Sequence, residues 1–420
     1  LRSRLGPDAE LHVFEKEPEV GGRAHHTTFA GERVELGGTL IHTENRRLVE
    51  LADAVGVPLV PRKADVPGGD DTLLLWDGSK ALLRAKLSGI GLPLALIRRY
   101  GPFNMLKLQR LARAAKSSWN SVYPLQDDGR VFETAGELIE AAGLATFVGA
   151  SLNELATRRG ISRRLLDEFV TGVLRDMYNQ SSEIIALAGL VGLAGAGLAG
   201  GSLVTVADGN STLFAKALDA AGAKVWLEAP ATRVESTSEG VLLHAGGGQP
   251  RRFDAVILAA PLELANVSIS GGDLEPVADI GRRFQPVYTT LVAGEVNPEF
   301  FASAKAPSEV ITIDDPATVF KALGQTGYSH SLGTPIWKFF SAEALTEAFL
   351  AEVFLKVHEV HRHLWQAYPV LTPEPRFRPF KLAGGVYQVN DFESAVSTLE
   401  TEGALGWSVA DLVARDLEAD

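Results

Sequence analysis

The feature that most constrains the fold is a short apolar strand that ends in a carboxylate and is followed by glycines. Residues 11–14 (Leu-His-Val-Phe) alternate as a buried strand that ends at Glu15, and Gly21-Gly22-Arg23 follows as a tight turn. In a dinucleotide-binding fold, an acid in this position accepts the hydroxyls of an adenosine ribose, and the glycines let backbone amides approach a pyrophosphate. The alternative is that Glu15 is a solvated charge at a strand end. The glycines and the complementary charge of Arg23 favour a nucleotide site.

Composition narrows the class of protein further. A chain of 420 residues exceeds what one hydrophobic core usually covers, so we expect two domains. With 40 Lys and Arg against 52 Asp and Glu, the net charge of −12 argues against a nucleic-acid partner. The chain has no cysteine, which excludes disulfides, thiolate metal ligands and cysteine nucleophiles. We expect no metal site.

Periodicity predicts the main elements. Helices are expected at 45–56, 132–145, 147–158, 162–177 and 344–366, with a closing helix near 394–416. Strands are expected at 224–228, 231–235, 240–244, 255–260, 287–295 and 335–340. The uncharged stretch 184–207 is rich in glycine, which favours a buried helix and a loop over a membrane span.

Glu15, Gly21-Gly22-Arg23 and Gly37-Gly38, in this order, are typical of flavoproteins of the amine-oxidase and phytoene-desaturase type, and three later segments resemble the same proteins. Residues 231–234 (Ala-Thr-Arg-Val) follow an apolar strand, where such flavoproteins present backbone to adenine, so the resemblance implies this contact at Val234. Residues 253–261 look like their strand that ends at a flavin-contacting turn, here Ala260-Pro261. Residues 390–395 are expected to open a helix whose free N–H groups face a diphosphate. In this order the segments are typical of flavoproteins of the amine-oxidase and phytoene-desaturase type.

Six further segments of the chain carry a more specific signal. They are 37–45 (Gly-Gly-x-x-Ile-His-x-x-Asn), 173–184 (Val-Leu-Arg-Asp-Met-Tyr-Asn-Gln-Ser-Ser-Glu-Ile), 209–210 (Gly-Asn), 289–297, 336–346 and 365–369. These segments resemble those of the prenylcysteine oxidases, also called prenylcysteine lyases. The resemblance covers essentially the whole chain and departs at 192–201, where the family is more polar.

The resemblance implies an α/β fold in which a Rossmann-like FAD-binding domain is joined to an α+β substrate domain. The FAD domain is expected to be composite, built from 1–65, 203–275 and 380–420, with 66–202 and 276–379 forming the substrate domain. The implied FAD-binding residues are Glu15, Lys16, Gly21, Gly22, Arg23, Gly37, Gly38, Thr39, Val234, Ala260, Pro261, Glu393, Ser394 and Ala395.

The implied reaction is oxidative cleavage of a thioether in a lipophilic substrate. Hydride leaves the carbon beside sulfur for the flavin, water adds, and the product divides into an aldehyde and free cysteine; dioxygen then gives hydrogen peroxide. His42, which the family motif puts beside the flavin, is a candidate for proton transfer or for a structural hydrogen bond. The resemblance implies a lysosomal protein in a eukaryote, and a cytoplasmic or membrane-associated one in a bacterium.

Two other functions stay open at this point. One is a flavin amine oxidase or a carotenoid desaturase-like enzyme with another lipophilic substrate. The other is a non-catalytic protein on a degenerate flavoprotein scaffold.

Residues 78–126 carry nine basic side chains and no acidic one, interleaved with Leu, Ile, Phe and Trp at helical spacing. One interpretation is a set of solvated helices whose positive faces balance an acidic body. The other is a patch that contacts a membrane surface, since basic and apolar residues together suit anionic headgroups.

The start of the chain carries a further expectation. A dinucleotide domain begins with a strand, a glycine loop and a helix, yet only a helix end (residues 1–5) precedes the strand that leads to Glu15. We therefore expect the first strand and its loop to precede residue 1, and an open slot in the sheet beside residues 11–14. A chain that begins at Leu1 is then expected to bind FAD poorly.

Overall fold

The computed structural model describes residues 1–61, 67, 70–271 and 277–419. The predicted domain boundaries at 65/66 and 275/276 lie outside these residues.

The described residues combine strands and helices throughout the chain. The strands are β1 (His12–Phe14), β2 (His26–Phe29), β3 (Glu32–Glu35), β4 (Ile41–His42), β5 (Leu59–Pro61), β6 (Thr72–Trp76), β7 (Ala81–Lys86), β8 (Leu203–Val206), β9 (Lys224–Trp226), β10 (Ala231–Thr237), β11 (Gly240–Ala245), β12 (Arg251–Phe253), β13 (Val256–Leu258), β14 (Ser268–Ser270), β15 (Phe284–Val296), β16 (Glu309–Thr312), β17 (Ala322–Ser329), β18 (Thr334–Ser341), β19 (Phe354–Pro369), β20 (Lys381–Ala383) and β21 (Val386–Gln388). The α-helices are α1 (Arg2–Leu5), α2 (Arg46–Ala54), α3 (Gly91–Tyr100), α4 (Pro102–Asn120), α5 (Val122–Asp127), α6 (Ala135–Ala141), α7 (Ala145–Val148), α8 (Leu152–Arg158), α9 (Arg163–Leu165), α10 (Thr171–Tyr178), α11 (Ala186–Leu193), α12 (Asn210–Ala220), α13 (Leu262–Ala265), α14 (Glu347–Val353) and α15 (Leu399–Ala419).

Parallel strand pairs join distant parts of the chain. β1 pairs with β9, and β13 pairs with β21, both in parallel. Beside them lies an antiparallel meander of β12, β11 and β10, to which β14 adds in parallel. Parallel strands with helices between them are the hallmark of an α/β fold, so the predicted fold class is confirmed.

Two strand edges face one cavity. Among the described residues, β1 pairs with β9 alone and β13 pairs with β21 alone. Residues 11–14 and 255–258 both line the same cavity. The open edge predicted beside residues 11–14 is therefore present.

The second half of the fold is a seven-stranded sheet in the order β19-β15-β18-β17-β16-β6-β7. Residues of α3 to α11 pack with β6 and β16 in the largest hydrophobic core. At Gly172 of α10, a Cβ atom would lie 3.0 Å from side-chain carbons of Ile311 and Leu75. Glycine at this position lets the helix lie close on the sheet.

One predicted helix is wrong. Residues 344–366 form α14 only over Glu347–Val353, and β19 runs from Phe354 to Pro369. β19 pairs with β15 along its whole length, from Phe354 opposite Val296 to Pro369 opposite Phe284. These long-range backbone hydrogen bonds outweigh the local helical spacing, and they place the three histidines His358, His361 and His363 on a strand.

The other predicted elements lie close to their expected positions. The stretch 184–207 holds α11, a π-helical turn at Ala194–Leu198 and β8. Within the described ranges, no helix is both long and apolar enough to cross a bilayer. The closing helix is α15, which begins five residues later than predicted, at Leu399.

Candidate active site

A single large cavity of about 3300 Å³ connects the two halves of the fold. One wall is built from β1, the glycine turn after it, and residues 255–261. The opposite wall is built from α10, α11 and the strands β18 and β19, and the first turn of α15 closes one side. The elements predicted to bind the nucleotide and those predicted to bind the substrate thus line one continuous space.

Glu15 stands on the cavity wall at the end of β1. Its backbone N–H donates to Trp226 O (2.9 Å) and its carbonyl accepts from Ala229 N (2.8 Å), so the neighbouring strand fixes its position. Its Oε1 accepts the N–H of Glu17 at 2.9 Å. Lys16 is exposed beside it and pairs with Glu17 (3.4 Å). The carboxylate is held at the place where a ribose is expected.

The glycine turn leaves open space for a ligand. A Cβ atom at Gly21, where φ is +130°, would lie 3.0 Å from Ala24 O and 3.1 Å from Ser211 Cβ. Gly22 has φ +54° and nothing within 4 Å of its Cβ position. The turn therefore packs on α12 at Gly21 and presents bare backbone to the cavity at Gly22, as a pyrophosphate requires.

A second glycine pair lies against this turn. A Cβ atom at Gly37 would lie 2.1 Å from Arg23 O, so the two backbones touch. Thr39 Oγ1 donates to Gly37 O (3.2 Å) and accepts from Lys338 Nζ (3.2 Å). Lys338 also donates to Glu35 O (3.2 Å). Lys338 also lines the cavity. The sequence motifs did not predict it as a site residue, although it lies within the family segment 336–346.

Arg23 forms an ion pair with a buried acid. It donates to the fully buried carboxylate of Glu393 and, through Nη1, to Ala367 O at 3.1 Å. Asn390 Nδ2 bridges Glu393 Oε1 (3.2 Å) and Glu402 Oε2 (3.1 Å). The structure thus unites two predicted cofactor residues, Arg23 and Glu393, in one ion pair.

Glu402 is the unusual member of this cluster. Burial, reinforced by the negative charge of Glu393, raises the pKa of Glu402 well above its ordinary value. Its Oε1 has no hydrogen-bond partner among the described residues, and the residue lines the cavity. A protonated carboxyl group at this site can donate a hydrogen bond.

The predicted C-terminal contact is displaced. Glu393, Ser394 and Ala395 are buried in or behind a short 3₁₀ turn, Asn390–Ser394, and do not line the cavity. Residues 397–403 line it instead, because the long helix begins only at Leu399. Arg282 fixes the 3₁₀ turn by donating to Asn390 O at 2.6 Å.

The side chain of Val234 lies in the core of the small meander, because the alternation of side chains along β10 turns it inward. Pro230 and Ala231, at the start of β10, line the cavity. The predicted adenine contact is made by backbone, so the contact at Val234 stays a prediction. Ala260 and Pro261 do lie on the cavity wall, as predicted.

His42 has both ring nitrogens in use. Nδ1 accepts the N–H of Glu44 (3.2 Å), which leaves Nε2–H to donate to Gly200 O (2.8 Å). The ring packs so closely on Gly201 that a Cβ atom there would lie 2.1 Å from His42 Cε1. The arrangement favours the structural role over proton transfer.

A large part of the cavity lining is apolar. It comes from α3, the π-helical turn Leu166–Val170, α10, α11 and β16, and it includes Leu92, Phe169, Val173, Met177, Leu190 and Ile311. An aromatic pair, Tyr178 and Tyr368 with ring centroids 5.4 Å apart, lines the same cavity. This compartment suits a lipophilic group.

Comparison with known proteins agrees with this geometry. The prenylcysteine lyase family model matches residues 92–420, and the model of an NAD(P)-binding Rossmann-like domain matches residues 1–55. Farnesylcysteine lyase of Arabidopsis thaliana is 27% identical, over 96% of this chain and 82% of its own length. Prenylcysteine oxidase 1 of Bos taurus is 27% identical, over 98% of this chain and 84% of its own.

Two of the solved structures that share this fold are oxidases. Putrescine oxidase bound to putrescine matches with a TM-score of 0.64 at 16% identity, over 97% of this chain and 93% of that one. Cyclohexylamine oxidase from Brevibacterium oxydans IH-35A matches with a TM-score of 0.64 at 17% identity, over 98% and 94%. At such identity the likeness shows the fold alone.

The predicted cofactor, FAD, is confirmed. The strand-end acid, the bare glycine turn and the cavity beyond them fit its ribose, its diphosphate and its ring system. The chain is an FAD-dependent oxidoreductase, and it belongs to the prenylcysteine lyase family.

Proposed function

We propose that this enzyme cleaves a prenylcysteine-type thioether, with dioxygen as the final acceptor. The observation that carries the proposal is the apolar compartment, which opens directly onto the FAD-binding wall within one cavity. The names of the relatives, farnesylcysteine lyase and prenylcysteine oxidase 1, support the substrate class. Family membership disfavours the amine-oxidase, desaturase and non-catalytic alternatives.

In the proposed overall reaction, one thioether, one water and one dioxygen give one prenyl aldehyde, one free cysteine and one hydrogen peroxide. Bound FAD would supply the two-electron chemistry: it would accept hydride from the carbon beside sulfur and return the electrons to dioxygen.

The residues of the FAD-binding wall bind and orient the cofactor. Glu15 would accept hydrogen bonds from the ribose, and the open backbone at Gly22 would leave room for the diphosphate. Ala231 and the turn at Ala260-Pro261 line the same cavity and would flank the adenine and the flavin respectively. Each contact is made largely by backbone or small side chains, which allows close approach.

The substrate compartment orients the lipid and excludes water. Phe169, Val173 and Met177 come from consecutive turns before and within α10, and Leu190 faces the cavity from α11. A prenyl chain buried among them gains roughly 25 cal/mol for each Å² of apolar surface removed from water.

Charged groups on the wall match the amino-acid part of the substrate. Lys338 and Asp176 both line the cavity. The amino-acid part of an S-prenylcysteine carries a carboxylate and an ammonium group, whose charges are opposite to those of these two side chains. Its charged end therefore differs from its prenyl end in the part of the lining that it matches.

The test uses FAD-loaded protein and S-farnesylcysteine. We expect aldehyde, thiol and peroxide to appear in equal amounts, with S-propylcysteine as a control that lacks the allylic double bond. Peroxide release from putrescine or another amine, without any from farnesylcysteine, would reject the proposal in favour of an amine oxidase.

A further inference from the structure

One surface of the protein gathers exposed apolar side chains. Of the sixteen large hydrophobic side chains exposed among the described residues, five lie within residues 90–106: Ile90, Leu94, Ile97, Phe103 and Leu106. Ile90 and Phe103 are each 78% exposed and Leu94 is 60% exposed. We call these five residues the apolar tip. Clustered exposed apolar side chains usually mark a contact surface, whereas single exposed ones are common and need no explanation.

The apolar tip is the outer face of two amphipathic helices. Ile90, Leu94 and Ile97 recur at helical spacing along α3, whose other face buries Leu96 and Tyr100 in the core. Gly101, with φ +84°, turns the chain into α4, where Phe103 and Leu106 continue the exposed apolar set three residues apart. The helices are therefore anchored on one side and bare on the other.

Basic side chains accompany the apolar tip. Arg98, Lys107, Arg110 and Arg113 are exposed, and no carboxylate of the described residues lies within ion-pair distance of any of them. Lys107 donates to the carbonyl oxygen of Gly160 (2.8 Å), which leaves its charge without a carboxylate partner. Two other basic residues of the segment 78–126 are held in ion pairs: Arg99 pairs with Glu168 (2.6 Å) and Lys116 with Glu44 (2.8 Å).

The charge of this surface opposes that of the whole chain. The chain carries −12 overall, whereas residues 78–126 contain no acid. Solvated helices account for the charged side chains, but they do not account for bulky apolar residues placed among them.

The apolar tip adjoins the substrate compartment. Leu87 and Leu92, which flank Ile90 in sequence, both line the large cavity. The apolar tip is therefore only a few residues along the chain from the cavity lining. A lipophilic molecule that leaves a bilayer at the apolar tip would be close to that lining.

We propose that the apolar tip and its four basic neighbours dock the protein on the surface of an anionic lipid bilayer. The apolar side chains enter the headgroup region while the basic ones meet anionic headgroups. The docking surface stands on its own observations; its use in delivering a lipophilic substrate rests on the proposed function.

The first test is flotation of the FAD-loaded full chain with phosphatidylcholine vesicles, with and without phosphatidylserine. We expect binding to the anionic vesicles and loss of binding as salt is raised. Arg110→Gln/Arg113→Gln should weaken binding about 25-fold, since each basic residue near such a surface contributes about fivefold. Arg233→Gln/Arg252→Gln, which removes two exposed charges on β10 and β12 of the small meander, should leave binding unchanged.

A second variant tests the apolar part. Ile90→Ser/Leu94→Ser/Phe103→Ser should abolish vesicle binding and keep the thermal stability of the parent, because these side chains are exposed. Its control, Leu355→Ser/Val370→Ser, changes exposed apolar residues on β19 and just beyond it, and should bind as the parent does.

The outcomes are separable. Failure of the parent to bind anionic vesicles overturns the docking proposal, as does a change of oligomeric state in the apolar variant with vesicle binding intact. Oxidation of dissolved farnesylcysteine without vesicle binding rejects docking alone. Vesicle binding without such oxidation supports docking and rejects the proposed function.

Discussion

The contact between His42 and Gly201 offers a sharp test of the site's geometry. Gly200 and Gly201 have nearly the same backbone conformation, with φ +81° and +82°. They differ in surroundings, because a Cβ at Gly201 would meet the His42 ring at 2.1 Å, whereas a Cβ at Gly200 would have nothing within 4 Å. Replacing each glycine by alanine separates two contributions to the free energy of unfolding: the strain of the left-handed backbone and the clash with the His42 ring.

The expected magnitudes follow from these two terms. Alanine in the left-handed region costs about 1–2 kcal/mol, and this applies to both variants. Gly201→Ala must also displace the His42 ring, whose two hydrogen bonds, to Gly200 O and from Glu44 N, contribute about 0.5–1.5 kcal/mol each. We therefore expect Gly201→Ala to be the less stable variant by about 1–3 kcal/mol.

The assay is thermal and urea unfolding of both variants, in the parent and in a His42→Ala background. In the His42→Ala background, the two alanine substitutions should cost the same. Equal costs in the parent background would refute the contact, and so would a difference that persists without His42.

Three further predictions concern the cofactor wall and the buried acids. Glu15→Ala should lose FAD, since a ribose without its acceptor costs on the order of 1–3 kcal/mol; flavin released by denaturation measures occupancy, and Glu17→Ala is the control. Gly37→Ala should lower FAD occupancy sharply because its Cβ would lie 2.1 Å from a backbone carbonyl, whereas Gly38→Ala, with 3.8 Å to its nearest neighbour, should be tolerated. The raised pKa of Glu402 gives stability that is complete below its ordinary pKa of 4.5 and is lost as the pH rises through the folded-state pKa. Glu402→Gln should remove that part of the pH dependence and gain stability relative to the parent at alkaline pH; urea unfolding across pH would contradict this by showing a constant difference.

The sequence predicted the motifs that depend on local backbone chemistry. The strand ending at Glu15, the glycine turn and the turn at Ala260-Pro261 all lie on the cavity wall. Each can be recognised from a short run of residue types, although β9 and β21 hold the two strands in place. Helices with clear apolar periodicity, such as α2, were predicted within one or two residues.

The errors arose where distant segments decide the outcome. Residues 354–366 have helical spacing, but pairing with β15 makes them a strand. The helix expected at Asn390 starts at Leu399, because Arg282, from far along the chain, holds the intervening residues in a tight turn. The partnership of Arg23 with Glu393 and the proximity of Glu402 likewise join residues more than 350 positions apart in sequence. No local sequence pattern indicates such long-range contacts.

One small contact near the amino terminus has a consequence for how the protein is made. The N–H groups of Arg47 and Leu48, in the first turn of α2, are bound by the carboxylate of Glu400 at 2.9 Å and 3.0 Å. A helix start normally finds its acceptor in a residue nearby; here the acceptor follows 353 residues after Arg47 along the chain. Long-range closure of this kind slows folding. During synthesis the first turn of α2 therefore stays without this acceptor until the segment around Glu400 has been made, and its N–H groups depend on water in the meantime.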